Sequence, residues 1–202
     1  MSVLVSKPAP DFRAKAVMPD NSIKELHFHE HIRGKHAVLF FYPLDFTFVC
    51  PTEIIEFNEQ LNEFKARNTE VLAVSVDSHF SHLAWKDTPV DKGGIGQVQY
   101  PMVADITKSI ARNYDVLFDD AIALRGTFII DKDGIVRHQY INDLPLGRNV
   151  EEALRIIDAI QYHELHGEVC PANWRKGKKA MKPTQVGVAS YLKEHADEQS
   201  NK

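Results

Sequence analysis

The pattern of apolar and polar positions changes its period between residues 37 and 64. Residues 37–42 (AVLFFY) form the longest purely apolar run, six residues ended by Pro43, which is typical of a strand covered on both faces of a sheet. Apolar residues then recur at steps of three and four, at Ile54, Phe57, Leu61 and Phe64. This second period predicts a helix with one buried stripe, and Pro51 fits only in the first turn of that helix.

Strands and helices are predicted to alternate through most of the chain. Further strands are predicted at 71–77 and 102–104, and helices at 79–87 and 107–114. An early hairpin turns at 19–22, a later one joins 127–131 to 135–141 through Asp133-Gly134, and a core helix carries Val150, Ala153, Leu154, Ile157 and Ile160. This order predicts the α/β fold class, with a mixed central sheet, an N-terminal hairpin and a C-terminal extension.

Two parts of unequal size are predicted for the 202 residues, a length that corresponds to about 1.3 domains of ~150 residues. From Gly167 onward the composition shifts to Pro, Gly and Lys, before a last short amphipathic stretch at 188–195. We therefore predict a main domain at 1–166 and a C-terminal extension at 167–202, which needs a partner surface.

Composition and charge exclude several classes of protein. The chain is 44% apolar and 26% charged, which is the balance of a soluble globular protein. Its net charge of -4 disfavours nucleic acid and anionic membranes as partners. No run approaches the ~20 apolar residues of a membrane helix, and residues 1–12 lack the features of a signal peptide, so we expect a cytoplasmic protein.

The two cysteines, Cys50 and Cys170, are too few for a disulfide scaffold or a four-cysteine zinc site. In a reducing compartment, such cysteines more often indicate chemistry than architecture. Cys50 follows a predicted strand and begins a predicted helix, where free amide hydrogens and the helix dipole favour a thiolate. From this position alone, a buried structural cysteine is an equally good interpretation.

The residues around Cys50 decide between these interpretations. Residues 43–53 read PLDFTFVCPTE: a proline, three residues, a threonine, two residues and a cysteine. This segment closely resembles the active site of the peroxiredoxins. Three further segments, in the same order along the chain, are similar to the typical two-cysteine branch of that family: RGTF at 125–128, GR at 147–148 and EVCP at 168–171.

The resemblance implies a thioredoxin-like fold and a thiol peroxidase that reduces hydrogen peroxide and small organic hydroperoxides. In this family Cys50 would be the peroxidatic cysteine, whose sulfenic acid condenses with Cys170, the resolving cysteine of a partner subunit. The expected assembly is a homodimer that forms a decameric ring. The family also offers an alternative function, a redox-switched holdase chaperone.

The resemblance also assigns three further catalytic residues, Thr47, Arg125 and Pro43, and two supporting ones, Glu53 and Arg148. Arg125 and Thr47 would donate hydrogen bonds to the peroxide, since the reaction needs donors at both oxygens. Pro43 would shield the sulfur from water. Glu53 and Arg148 would hold Arg125 in orientation, a positioning role.

Partners follow from what the chain lacks. It has no Cys-x-x-Cys and no glycine-rich dinucleotide motif, so we expect thioredoxin or a flavoprotein disulfide reductase system to reduce it, and a disulfide isomerase is disfavoured. No cofactor or metal is expected, because a zinc site on the alternating His27, His29 and His31 is less favoured than surface histidines. The family resemblance places His79 and His82 in a region that lines a contact between dimers.

Overall fold

Residues 3–200 are described by the structure, a computed structural model, with side chains described as far as residue 194. The strands are β1 (Arg13–Val17), β2 (Ile23–His27), β3 (His36–Phe41), β4 (Thr69–Ser75), β5 (Met102–Ala104), β6 (Leu117–Phe118), β7 (Ile122–Ala123), β8 (Arg125–Ile130) and β9 (Val136–Asn142). The helices are α1 (Phe28–His31), α2 (Cys50–Glu59), α3 (Leu61–Ala66), α4 (His79–Asp87), α5 (Ser109–Asn113), α6 (Val150–His166) and α7 (Gln185–Ser200).

A mixed sheet of seven strands, in the order β2-β1-β5-β4-β3-β8-β9, forms the core of the chain's first part. Strand β3 pairs in parallel with β4 and antiparallel with β8, and β1 and β2 form the N-terminal hairpin. All six residues of β3 are buried, as expected for a strand with neighbours on both sides and both faces covered. The predicted α/β class with a mixed central sheet is confirmed.

The predicted helix after β3 is divided in the structure into α2 and α3, which meet at Gln60. The Gln60 amide donates to the Glu56 carbonyl at 3.0 Å, and the Glu63 amide returns to the Gln60 carbonyl at 2.9 Å. The apolar stripe crosses this break without loss, because its four residues are all buried: Ile54, Phe57, Leu61 and Phe64. The prediction of one continuous helix was wrong, whereas the prediction of one buried stripe is confirmed.

The hairpin of β8 and β9 is connected through residues 131–135 and not through a two-residue turn. The Asp131 amide donates to the Ile135 carbonyl at 2.9 Å. The buried Asp131 carboxylate accepts from the amides of Asp133 at 3.0 Å and Ile135 at 2.9 Å, and from Arg137 Nε at 2.5 Å. Gly134 adopts a positive φ of 79°, which glycine tolerates without steric cost. The side chain of Asp131 therefore builds this loop.

The three alternating histidines do not share a strand. His27 ends β2, whereas His29 and His31 lie in α1. His29 contacts the Ala9 carbonyl through Nε2 at 2.8 Å, and His31 lies 3.6 Å from the Glu70 carboxylate. Within residues 3–194, where side chains are described, no three His, Cys, Asp or Glu side chains are grouped so as to hold a metal ion.

Two compact units divide the chain, Met1–Leu154 and Arg155–Lys202, and their boundary falls inside α6. The first unit contains the whole sheet. In the second unit, Trp174 is buried, its ring lies 5.0 Å from that of Tyr162, and its indole donates to the Lys178 carbonyl at 2.9 Å. The domain boundary at residue 166 stays a prediction. Among the described residues, no helix has the length and apolar character to cross a membrane.

Candidate active site

Cys50 is the first residue of α2 and follows the loop of residues 43–49 that leaves β3. Its side chain is 0% exposed, and it is a free thiol. Pro51 removes one amide hydrogen from the first turn, and the amides of Thr52 and Glu53 lie 3.1 and 3.4 Å from the Val49 carbonyl. The amides of Thr52 and Glu53 are thus directed at the Val49 carbonyl, and two side chains, Thr47 and Arg125, contact the sulfur.

Thr47 supplies the first of these side-chain contacts. Its Oγ1 lies 2.9 Å from Cys50 Sγ and 2.8 Å from the Leu44 carbonyl. A hydroxyl has one hydrogen to donate, so it serves one of these two acceptors at a time. With a thiol at Cys50, Thr47 can donate to Leu44 and accept the S–H; with a thiolate, it can turn its hydrogen to the sulfur.

Arg125, the first residue of β8, supplies the second contact. Its Nη1 lies 3.3 Å from Cys50 Sγ and also donates to Glu53 Oε2 at 2.7 Å. Its Nε donates to the Leu144 carbonyl at 2.7 Å. The side chain is 4% exposed, so these contacts are made out of water, where each one is stronger. Arg125 is therefore held from two sides and aimed at the sulfur.

Glu53 is shared between two arginines. Arg148 donates to Glu53 Oε1 from its amide at 3.0 Å and from Nε at 2.8 Å, and to Oε2 from Nη2 at 2.7 Å. Its Nη1 donates to the carbonyls of Phe41 at 2.8 Å and Gly126 at 3.1 Å. Its guanidinium carbon lies 4.9 Å from the centre of the Phe40 ring, a cation–π contact. Arg148 is thus fixed against two strands of the sheet.

The charges of this cluster do not balance within it. The side chains of Arg125, Arg148 and Glu53 are 4%, 0% and 2% exposed. Two guanidinium groups and one carboxylate leave one positive charge without a partner, and Cys50 Sγ is 3.3 Å from the nearer guanidinium. A buried charge is costly unless it is paired. The site is therefore complementary to a thiolate at Cys50, or to a negative charge that develops beside it.

Pro43 is buried and lies two residues after Phe41, the last residue of β3. As a proline it offers no amide hydrogen at this end of the strand. The loop thus brings Pro43, Thr47 and Cys50 to the end of β3 that lies beside the start of β8, where Arg125 is found. Five of the seven residues predicted for the site form one hydrogen-bonded cluster: Thr47, Cys50, Glu53, Arg125 and Arg148.

Sequence reasoning missed two parts of this arrangement. The carbonyl of Leu144 accepts from Arg125, and a backbone carbonyl gives no signal in a sequence. Asp45 is buried inside the motif, accepts hydrogen bonds from Tyr42 and Ser81 and contacts His82 Nδ1. A carboxylate in an otherwise apolar segment was the signal that could have found it. His82 is fully buried in this chain, so its side chain faces the interior.

Cys170 lies in the second compact unit, between α6 and α7. The strand-like bridge of Val169 with Met181 holds the segment, and Cys170 Sγ lies 3.7 Å from the Ala159 carbonyl. Cys170 is a free, partly exposed thiol. Burial raises the pKa of this thiol, and the Glu168 carboxylate adds to the rise against the opposing effect of Arg155. Cys170 is therefore predominantly a neutral thiol at pH 7.

Comparisons with known proteins agree with this geometry. A model of the AhpC/TSA family matches residues 5–139, and a model of the C-terminal domain of 1-Cys peroxiredoxin matches residues 159–194. The chain is 60% identical over 196 residues to alkyl hydroperoxide reductase C of Helicobacter pylori strain ATCC 700392 / 26695, covering 96% of this chain and 98% of that protein. It is 54% identical over 189 residues to peroxiredoxin-1 of Gallus gallus, with coverages of 93% and 94%.

A third relative and a solved structure extend the comparison. The mitochondrial thioredoxin-dependent peroxide reductase of Drosophila melanogaster is 55% identical over 197 residues, with coverages of 96% and 83%. The crystal structure of the reduced 2-Cys peroxiredoxin of Plasmodium vivax superimposes with a TM-score of 0.93 at 54% identity, covering 95% of this chain and 100% of that one. The fold is therefore thioredoxin-like, as the sequence motifs implied.

Proposed function

The chain belongs to the AhpC/TSA family and is a peroxiredoxin, and from this premise we propose that Cys50 supplies the sulfur that attacks the peroxide. A peroxiredoxin is a thiol-dependent peroxidase, an oxidoreductase that reduces hydroperoxides with electrons from thiols. The observation that carries the assignment is the position of Cys50 Sγ between Thr47 Oγ1 at 2.9 Å and Arg125 Nη1 at 3.3 Å.

The first step joins sulfur to oxygen. The Cys50 thiolate attacks one peroxide oxygen, the S–O bond forms while the O–O bond breaks, and the other oxygen leaves as hydroxide or alkoxide and takes up a proton. Arg125 and Thr47 donate to the oxygens on which negative charge develops, which is the charge that the unbalanced cluster favours. Glu53 and Arg148 act as positioning residues for Arg125, and Pro43 keeps water from the sulfur.

The second step uses Cys170. Its thiol condenses with the Cys50 sulfenic acid, so that the disulfide forms and water leaves. We propose that Cys170 comes from a partner subunit of a homodimer. Strand β9 lies at one edge of the sheet, and an edge strand is a template for pairing with another chain.

Reduction and assembly complete the proposal. A thioredoxin or a flavoprotein disulfide reductase system returns the disulfide to two thiols; the name of the Drosophila melanogaster relative calls that protein thioredoxin-dependent, which supports the first of these two reductants. Exposed apolar side chains on α4 and after β5, Phe80 at 68% and Ile106 at 56%, support further assembly of dimers into a decameric ring. The working compartment is the cytoplasm, and residues 167–202 act as an extension of the main domain.

The experiment replaces Cys50 with serine. The variant Cys50→Ser should consume no hydrogen peroxide in the presence of a dithiol reductant, because an alcohol supplies no comparable nucleophile. The fall in peroxide is followed at equal concentrations of wild type and variant, with thermal unfolding as the control for folding. Substantial turnover by the variant would contradict the assignment.

The holdase alternative makes a different prediction. Protection of a client protein from aggregation should then persist in the Cys50→Ser variant, since a chaperone surface does not need the thiolate. Light scattering of a heated client protein, with and without peroxide, separates the two functions.

A further inference from the structure

The active-site loop is fastened to α4 through one buried carboxylate. Asp45 lies two residues before Thr47, and its side chain is 1% exposed. Its Oδ2 accepts from Ser81 Oγ at 2.7 Å and contacts His82 Nδ1 at 2.8 Å. Its Oδ1 accepts from Tyr42 Oη at 2.7 Å. Three partners from β3's end and from α4 therefore converge on one side chain of the loop.

The backbone of the same residue is also fixed. The Asp45 amide donates to Asp77 Oδ2 at 3.0 Å, and that oxygen also accepts from Ser75 Oγ at 2.7 Å. Burial is the main reason why the pKa of Asp77 is raised, with the Asp45 carboxylate adding to the rise. The buried carboxyl group of Asp45 and the half-buried one of Asp77 are thus kept together, an arrangement that needs the surrounding hydrogen bonds to hold it.

The next residue of the loop is bent into an uncommon conformation. Phe46 has a φ of 55°, in the left-handed region that residues other than glycine rarely adopt. Its ring lies 5.7 Å from that of Trp85, again on α4. A strained backbone persists where its neighbours fix it, and here the fixed neighbour is Asp45. The bend directly precedes Thr47, whose Oγ1 lies 2.9 Å from Cys50 Sγ.

His82 connects this point to the sheet. Its side chain is 0% exposed, with Nδ1 toward Asp45 and Nε2 3.3 Å from the Val103 carbonyl of β5. The ring therefore bridges the loop and the central sheet through both of its nitrogens. Its contacts with Asp45 and Val103 make α4 and β5 a rigid support for the loop.

We propose that Asp45 and His82 are positioning residues for the reaction with peroxide, which hold the bent loop so that the Thr47 hydroxyl reaches Cys50 Sγ. The inference rests on the proposed role of Cys50 and adds two residues which act through Thr47 and touch neither the sulfur nor the peroxide. Positioning of this kind matters because reacting groups misplaced by about 1 Å lose rate by up to ~100-fold.

A double-mutant cycle tests this route. Asp45→Asn should slow the reaction of Cys50 with hydrogen peroxide about tenfold, because an amide cannot accept from all three partners. In a Thr47→Val background, Asp45→Asn should change the rate less than about twofold, since the hydroxyl that it positions is already gone. Rates are measured by stopped-flow tryptophan fluorescence. A further tenfold loss in the Thr47→Val background would overturn the proposal.

Asp131→Asn is the matched control. The side chain of Asp131 is 1% exposed, as is that of Asp45, and it accepts from three N–H donors. Its loop precedes β9 and follows the end of β8 that pairs with Ala37, far along the sheet from the loop of residues 43–49. It should lower the melting temperature about as much as Asp45→Asn and leave the rate with peroxide unchanged. Equal slowing by the two variants would show that loss of stability explains the effect, and the proposal would fail.

A pair of His82 variants gives the test a second route if Asp45→Asn does not fold. His82→Asn keeps an N–H near the position of Nδ1 and should react with peroxide nearly as fast as wild type, whereas His82→Leu should be about tenfold slower. Equal rates for the two variants would overturn the proposal. Cys50→Ser is measured in the same series. If wild type and Cys50→Ser react alike with peroxide, the proposed function fails together with the inference. If Cys50→Ser is inactive but the Asp45 and His82 variants react as fast as wild type, the inference alone fails.

Discussion

Arg125→Ala is the change that most directly separates the two tasks assigned to the active-site charges. Arg125 Nη1 is 3.3 Å from Cys50 Sγ and 2.7 Å from Glu53 Oε2. Removing the guanidinium therefore removes a charge beside the sulfur and the donor that we propose for the leaving oxygen. It also releases the Leu144 carbonyl.

The magnitude follows from the distance. Full charges 3.3 Å apart interact by about 5 kcal/mol at an effective dielectric constant of 20. Because the charge of the guanidinium is spread over the group and partly answered by Glu53, we expect a loss of about 2 to 4 kcal/mol, the range for removal of an oxyanion donor. At 1.36 kcal/mol per tenfold, this is roughly a 30- to 900-fold slower reaction with peroxide.

Ionisation alone would give a far smaller effect. For any thiol, a pKa lowered from about 8.5 to about 6 raises the thiolate fraction at pH 7 from ~3% to ~90%. The same change costs roughly tenfold in nucleophilicity, for a slope of ~0.45. The net gain is a few-fold. A loss much larger than this must come from stabilisation of the transition state.

The assay is single-turnover oxidation of Cys50 by hydrogen peroxide at pH 7 and pH 9. Arg125→Ala should remain slow at pH 9, where a thiol is largely ionised without help. Arg112→Ala, which removes an exposed arginine paired with Asp120, is the matched control and should react like wild type. Full recovery of Arg125→Ala at pH 9 would show that Arg125 acts only through ionisation of the thiol, and would refute the argument.

Three further predictions concern the second cysteine, the shared carboxylate and acid stability. Cys170→Ser should still consume about one equivalent of peroxide per subunit, because sulfenic acid formation precedes resolution, but it should not cycle with a dithiol protein; a peroxide titration followed by a non-reducing gel checks both. Glu53→Gln should lower the free energy of unfolding by about 3 to 5 kcal/mol, since it leaves two buried guanidinium groups without a counter-charge; urea unfolding that changes by less than about 1 kcal/mol would contradict this account of a buried pair. The pKa of Glu70 is about 2, against 4.5 for the free side chain, chiefly because of its contact with His31 and then Lys35. A lowered carboxyl pKa contributes stability above pH 4.5 that is lost as the pH falls toward 2. Glu70→Gln should therefore be less stable than wild type at pH 7, and the unfolding free energies of the two proteins should converge between pH 4.5 and pH 2. A difference in unfolding free energy that stays constant over this range would contradict the prediction.

Sequence reasoning succeeded where the signal is local. The apolar run before Pro43 predicted a central strand, since a strand covered on both faces has no polar positions. The place of Cys50 at the start of a helix was predicted from the same stretch and is confirmed, whereas its chemistry follows from the resemblance of residues 43–53 to the peroxiredoxin active site and stays a prediction. Helix α4 was predicted with the bounds that the structure has, because Pro89 stops it, and the structure adds a cap at its start, the Ser78 side chain.

Sequence reasoning failed where the structure of a segment depends on contacts that its own pattern of residues does not show. Nothing in the stretch around Gln60 distinguishes one long helix from α2 and α3, because both keep the same stripe buried. The turn after β8 was predicted from Asp133-Gly134 as a two-residue connection, but the Asp131 carboxylate binds two amides across it and stabilises a longer loop. A side chain that competes for backbone hydrogen bonds changes the length of a turn, and the sequence pattern does not show that competition.

The same limit explains the buried charges of the active site. The motifs gave the identities of Glu53, Arg125 and Arg148, but each of them alone reads as an ordinary surface residue. Only in the folded chain does the Glu53 carboxylate accept from both guanidinium groups, with Oε2 2.7 Å from Arg125 Nη1 and 2.7 Å from Arg148 Nη2. This arrangement leaves one positive charge beside Cys50. The same holds for Asp45. A carboxylate between Leu44 and Phe46 gives no sign of its role in the sequence, because its partners Ser81 and His82 lie on α4. The charge that surrounds Cys50 depends on how many charged groups and hydrogen-bond donors are buried beside it, and folding alone brings these groups together.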